Sequence, residues 1–160
     1  MRMTQKTCAS LALSMAMALL ATPSAMSHAR RTTIVGVSPA NDCYVAVSQG
    51  RHDGNAVEMC SLALSDDFLP RQVRAVTYVN RSVLHLRRHE SREALNDANE
   101  GVDLQSALSQ EDAARAYFYR ATANEDLGAN RAAYDDYRHA AELSPSWAAP
   151  RTELARFQVR

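Results

Sequence analysis

The sequence is poor in the residues that interrupt packed structure. Its 160 residues include only five glycines and five prolines, too few for a fibrous or a low-complexity disordered chain. Lysine and arginine together number 18, as do aspartate and glutamate, so no excess of positive charge indicates a nucleic-acid or polyanion binder. The length and an apolar fraction of 46% are typical of one folded domain.

The motifs of common catalytic sites are missing as well. There is no glycine-rich phosphate loop, no G-x-S-x-G motif and no C-x-x-C pair. His85 and His89 lie one helical turn apart, with Glu90 adjacent, but no third ligand follows at a zinc-site spacing. The acids of Asp66-Asp67 and of Asp135-Asp136 would not face each other on a helix. We therefore expect no catalytic residue, no metal and no cofactor, in a protein that is not an enzyme.

Residues 1–29 have the three parts of a secretory signal peptide. Arg2 and Lys6 form a positive start, and an apolar run follows from Ala9 to Ala21. Small residues at Ser27 and Ala29 suit cleavage after Ala29. The alternative is an uncleaved anchor, but the run is shorter than the roughly 20 residues that span a bilayer. The sequence thus predicts export, followed by a flexible segment over 30–37.

Small and large residues recur at fixed spacings in the C-terminal half. From Tyr117 onward the pattern uses Tyr117, Arg120, Ala121, Ala133, Tyr137, Ala140 and Pro145. Small side chains are needed where two helices cross closely, and Ala121 and Ala133 meet that need. Gly128 is suited to end the first helix and Pro145 the second.

The same pattern occurs earlier in the chain. Its members over residues 78–104 are Tyr78, Arg81, Ser82, Ala94, Ala98 and Gly101. We call the offset between the two copies, from Tyr78 to Tyr117, the repeat step. It is longer than the roughly 34 residues of a standard repeat of this kind. About five extra residues therefore lie near Leu104 to Asp112, as a longer loop or an extended helix.

These spacings resemble those of the tetratricopeptide repeat (TPR) family, in particular its small secreted members from Gram-negative bacteria. The resemblance rests on Asn80-Arg81, on Asp126 to Phe157 and on the pair Cys43 and Cys60. It implies an all-α fold, a short α-solenoid of about three TPR-type helix pairs with a C-terminal capping helix, in the periplasm or outside the cell. The implied ranges are 38–69 for a degenerate pair, 73–106 and 114–147 for two repeats, 107–113 for an irregular insertion and 148–160 for the capping helix.

The two cysteines that follow the signal peptide fall on the degenerate copy. Cys43 precedes Ala56 by the same spacing that separates Arg81 from Ala94, and Asp53-Gly54-Asn55 would form the turn between the two helices. Cys43 and Cys60 would then face each other across one hairpin. We expect a disulfide in an oxidising compartment, and the alternative is two independent buried thiols.

The first helix of each pair would line a concave surface. The candidate binding positions there are Val79, Val83, Leu86, Arg87, Phe118, Thr122, Glu125 and Asp126. Alternatively, Val79, Val83 and Phe118 pack between repeats. The sequence thus predicts an exported, non-catalytic module that binds a peptide or an envelope protein. The other hypothesis is a self-associating structural envelope protein whose short array is completed by a second copy.

Overall fold

The computed structural model describes residues 38–158, and these form seven α-helices joined by short connections. They are α1 (Pro39–Ser48), α2 (Gly54–Leu64), α3 (Arg71–Arg87), α4 (Ser91–Asp103), α5 (Gln110–Asp126), α6 (Asn130–Leu143) and α7 (Ala148–Gln158). A short 3-10 helix, Gln105–Ala107, lies between α4 and α5. This part of the chain has no strand, so the prediction of an all-α fold is confirmed.

Several sequence-based predictions fall outside this range. The signal peptide over 1–29, the flexible segment over 30–37 and the last two residues of the predicted capping helix are not among the described residues. Between residues 38 and 158, no helix is both long enough and apolar enough to cross a membrane.

The same backbone turn ends the first helix of three consecutive hairpins. Gly50, His89 and Gly128 follow α1, α3 and α5, with positive φ angles of 73°, 60° and 80°. In each turn the amide of the next residue donates to a carbonyl near the end of the helix, as from Glu90 to His85 and from Ala129 to Asn124. This is the hydrogen bond of a Schellman C-cap. The three turn residues are equally spaced along the chain, and their spacing equals the repeat step.

Buried alanines lie where the helices of a hairpin cross. Ala94 and Ala98 of α4 are fully buried, and Ala121 of α5 shares a core cluster with Ala133 and Tyr137 of α6. Small side chains at these positions let the helices approach closely. In addition, α1 contacts α3 and α3 contacts α5, so the first helices of the three hairpins lie side by side.

Two segments predicted as irregular are partly helical in the structure. Asp53 accepts a hydrogen bond from the Ala56 amide at 3.0 Å, which is an N-cap, so α2 already begins at Gly54. Likewise, the Ser109 hydroxyl accepts from the Asp112 amide at 3.1 Å. Residues 110–113 are therefore the first turn of α5, and the long repeat step is accommodated by an extended helix and a 3-10 turn.

The sulfur atoms of Cys43 and Cys60 lie 2.10 Å apart, which is disulfide-bond distance. This confirms their predicted pairing, and both residues are fully buried. The register differs by one residue, however. Cys43 stands as far before Gly50 as Ser82 stands before His89. Cys43 therefore takes the place of Ser82 and not of Arg81, because the connection between α1 and α2 is longer than its equivalents.

Helix α7 covers the end of the third hairpin. Leu154 and Phe157 pack against the core cluster of Ala121, Ala133 and Tyr137. The Phe157 ring centroid lies 6.0 Å from that of Tyr137. This packing removes one face of α5 and α6 from solvent, which affects where a ligand could bind.

Candidate functional site

A groove runs between the first helices of the three hairpins. Two adjoining cavities of about 570 Å³ and 340 Å³ form it, and they share Tyr44, Val76 and Asn80. Most of the lining comes from α1, α3 and α5, and Trp147 contributes from the segment just before α7. We call this surface the valine groove and define it by Tyr44, Val76, Val79, Val83, Tyr119 and Trp147.

The floor of the valine groove is the valine-rich face of α3. Val76, Val79 and Val83 recur at helical spacing, so their side chains share one face. Val79 and Val83 are only 4% and 5% exposed. Val79 also belongs to a core cluster, together with Val102, Ala116, Tyr117 and Ala140. Val79 therefore packs between hairpins, and Val76, Val79 and Val83 together form the base of the groove.

Aromatic side chains stand around this floor. Tyr44 on α1 is 55% exposed and lines both cavities. Tyr119 on α5 is half-buried, and the Trp147 ring centroid lies 4.7 Å from that of Phe118. Tyrosine and tryptophan combine a large apolar area with a polar group, which suits a surface that contacts a peptide.

Charged groups lie at the α5 side of the groove. Glu111, Asp112 and Arg115 line it, and an Arg115 guanidinium nitrogen is 3.3 Å from a carboxylate oxygen of Asp112. Burial raises the pKa of Tyr119, and the positive charges of Arg115 and Arg87 act in the opposite direction. The hydroxyl of Tyr119 thus stays neutral near pH 7 and can donate a hydrogen bond.

The four predicted positions on α5 line a different cavity. Phe118, Thr122, Glu125 and Asp126 face about 540 Å³ of space between α5, α6 and α7. None of the four lines the valine groove, although Phe118 also packs against the core cluster that contains Val79. Inside this cavity the Tyr137 hydroxyl donates to Glu125 at 3.1 Å. Burial, together with the charge of Glu125, raises the pKa of Tyr137, while a hydrogen bond with Thr122 lowers it.

The remaining predicted positions, Leu86 and Arg87, lie outside the valine groove. Leu86 is half-buried. Arg87 donates to the carbonyls of Val47 and Arg51 at 3.0 Å and 3.1 Å. A cation on the last carbonyls of α1 stabilises that helix end, so the contacts of Arg87 tie α3 to the end of α1.

Each of the last two hairpins has an ion pair between its two helices, and the two pairs have the same geometry. Arg81 binds Asp97 through two hydrogen bonds of 2.7 Å. Arg120 binds Asp136 in the same manner, at 2.8 Å and 2.7 Å. Asp136 is buried whereas its neighbour Asp135 is exposed, so the two acids face different surroundings. Each arginine occupies a position that the repeat pattern singled out.

The histidine pair considered for metal binding is divided between two environments. His85 Nδ1 lies 2.7 Å from Glu90 Oε2, and His85 Nε2 lies 3.7 Å from Asp97. His89 occupies the exposed turn after α3. Between residues 38 and 158, no group of three side chains is arranged to hold a metal ion.

Sequence reasoning missed Tyr44, Tyr119 and Trp147. The repeat step contained a signal for the first two, because it relates Asn80 to Tyr119 and Tyr44 to Val83. Trp147 carried no such signal, since it belongs to the connection before α7. Its place in the groove depends on how that connection crosses α5.

No protein-family model, curated protein or solved structure matches this chain. The groove itself is thus the basis for assigning a function. Its long apolar floor, aromatic margin and few charges suit the binding of an extended segment better than the binding of a small charged metabolite.

Proposed function

We propose that this chain is an exported, non-catalytic interaction module of TPR type, and that its valine groove binds an extended peptide segment of a partner protein. The observation that carries this proposal is the valine floor of α3 with the partly exposed Tyr44 and Tyr119 beside it. Burying apolar side chains of a peptide there would contribute roughly 25 cal/mol per Å². Aromatic side chains such as Tyr44 commonly dominate interface energetics.

Three features support the TPR-type arrangement. The turn residues Gly50, His89 and Gly128 recur with the repeat step, and the first helices of the hairpins lie side by side. Arg81–Asp97 and Arg120–Asp136 form equivalent ion pairs. Stacked helical hairpins with one extended binding surface are typical of repeat proteins.

The cysteine pair supports export to the periplasm or beyond. A disulfide between Cys43 and Cys60 persists in oxidising compartments and is rare in the cytosol. Together with the signal-peptide pattern of residues 1–29, this favours a partner in the bacterial envelope or outside the cell.

Site-specific photo-crosslinking in the native envelope tests the proposal. A benzoylphenylalanine replaces Tyr44 in the groove, and a control carries it at Phe68, which is 93% exposed and outside both groove cavities. We expect the Tyr44 position to crosslink one defined segment of a partner that the Phe68 position does not reach. Equal crosslinking at both positions would contradict a groove-specific interaction.

A second candidate function is self-association. Phe68 is 93% exposed in the connection after α2, and Leu62 of α2 is 44% exposed. Such apolar side chains suit contact with a second copy. Light scattering across a range of protein concentrations tests this function, and Phe68→Ser would restore a monomer if it is right. A monomer at every concentration would exclude it.

A further inference from the structure

Phe68 is held out into solvent by a fixed turn. It lies in the connection between α2 and α3 and is almost fully exposed. The Asp66 carboxylate accepts a hydrogen bond from the Phe68 amide at 3.0 Å, and the Asp66 carbonyl accepts one from the Leu69 amide at 3.1 Å. Arg74 of α3 also donates to the carbonyls of Leu64 and Asp66. The turn therefore needs little further ordering to present the phenyl ring to a second molecule.

The two residues before Phe68 are both acidic. Asp66 and Asp67 directly precede it, and Asp67 is exposed. A phenyl ring beside two carboxylates suits a partner surface that combines aromatic side chains with positive charge. The valine groove does not offer this charge, because Glu111 and Asp112 line its α5 side.

A cleft on α6 has the matching chemistry. Arg131, Tyr134 and Arg138 line it from α6 and Phe157 from α7, around about 670 Å³ of space. We call it the arginine cleft and define it by these four residues. The ring centroids of Tyr134 and Phe157 lie 5.9 Å apart in an edge-to-face arrangement. A third aromatic ring can pack against them in the same way, with an arginine over its face.

The arginines of this cleft are available to carboxylates of another molecule. Arg131 and Arg138 are both exposed. The contacts of Arg138 with Asp135 and Glu142 are 3.8 Å and 3.9 Å long, which is longer than a hydrogen bond. Asp135 is the acid among the lining residues, so the lining keeps an excess of positive charge. An aspartate placed beside the cleft can therefore form a closer ion pair than those already present.

We propose that Phe68 of one copy of this chain docks into the arginine cleft of a second copy, with Asp67 beside the cleft arginines. This inference rests on the second candidate function, self-association, because it names the surface that receives Phe68. Phe68 and the cleft are different surfaces, so every contact between two copies uses one of each.

Mixing two variants of the full chain tests this contact. Phe68→Ser removes the inserted ring, and Arg131→Glu reverses a charge of the cleft. Both positions are exposed, so the fold is kept. We expect each variant alone to associate about tenfold more weakly than the unsubstituted chain. An equimolar mixture retains an intact Phe68 on one molecule and an intact cleft on the other. In sedimentation velocity it should form a dimer that neither variant forms alone.

A charge exchange and a matched control complete the test. Asp67→Arg should weaken association as Arg131→Glu does, and both substitutions in one chain should restore part of it. Arg92→Glu makes the same charge change at an exposed position outside the cleft and should leave association unchanged.

The outcomes separate this inference from the functions proposed above. If Arg131→Glu leaves association unchanged, or if the mixture associates no better than the variants alone, the inference is wrong while self-association through Phe68 stands. A monomer at every concentration would overturn both. Peptide binding in the valine groove is independent of either result, because neither Phe68 nor Arg131 lines that groove.

Discussion

At the scale of single residues, buried charges are paired between the two helices of a hairpin. Arg81 and Arg120 each place a planar guanidinium on a buried aspartate of the next helix. Lysine could not form the two parallel hydrogen bonds that this geometry uses. No buried side-chain nitrogen or oxygen lacks a hydrogen-bond partner between residues 38 and 158, so these charges are compatible with the alanine-rich interior around them.

Glu90 gives the fold a pH dependence. Hydrogen bonds from Arg88 and His85 lower its pKa from 4.5 to about 2. Because the folded pKa lies below the unfolded one, the stabilisation is complete above pH 4.5 and is lost as the pH falls toward 2. The side chain is one-third exposed, so we expect Glu90→Gln to lower the free energy of unfolding at pH 7 by only about 0.5–1 kcal/mol.

Urea unfolding at stepwise pH values measures this effect. The difference between Glu90→Gln and the unsubstituted chain should shrink as the pH falls below 4.5. A difference of constant size from pH 7 to pH 3 would show that the charge of Glu90 is not its cause.

At the scale of helices, two of the three turns have glycine at the position of positive φ and the third has His89. Gly50 and Gly128 adopt the left-handed conformation without steric cost, whereas His89 adopts it with φ 60° and a side chain. We expect His89→Gly to raise the free energy of unfolding by about 0.5–1 kcal/mol. Gly128→Ala should lower it by a similar amount. Thermal or urea unfolding checks both, and a destabilised His89→Gly would contradict this account of the turn.

Gly101 lets α4 approach α3 closely. A Cβ at this position would lie 2.9 Å from Cγ2 of Val79, a floor residue of the groove. We expect Gly101→Ala to destabilise the fold by about 1–2 kcal/mol through overpacking. Gly54→Ala is the matched control, because nothing lies within 4 Å of its Cβ position, and it should be neutral or slightly stabilising. Equal effects of the two substitutions in urea unfolding would rule out a specific contact with Val79.

The helices themselves were largely predictable from the sequence. The small residues Ala121 and Ala133 and the stop at Gly128 follow from local spacing, which the structure keeps. The cysteine pairing was also predicted, although Cys43 takes the place of Ser82 and not of Arg81. The turn predicted at Asp53-Gly54-Asn55 lies earlier in the chain, because the Asp53 cap starts α2 at Gly54. Of the two alternatives for the extra residues, a longer loop or an extended helix, the structure has the extended helix, which follows the cap at Ser109. Spacing alone does not reveal which side-chain oxygen will accept the first free amide of a helix.

At the scale of the whole molecule, the candidate site was only half predictable. The floor residues Val79 and Val83 follow from the repeat register, since they lie on one face of α3. Phe118 and Thr122 are their equivalents one repeat step later, yet they face another cavity because α7 covers the last hairpin. A repeat pattern predicts the same surroundings for equivalent residues of every unit. The last hairpin packs against α7 instead of a further hairpin, so its residues have different surroundings.

The proposed function depends most on the valine groove as a binding surface. The measurement that tests it most directly is a titration, followed by Trp147 fluorescence, with a synthetic peptide copied from the segment that crosslinks at Tyr44. We expect Tyr44→Ala to weaken binding about tenfold, as for an interface residue worth above about 1 kcal/mol, and Phe68→Ala to leave the affinity unchanged. An affinity that Tyr44→Ala does not alter, or that Phe68→Ala lowers equally, would contradict the assignment of the groove.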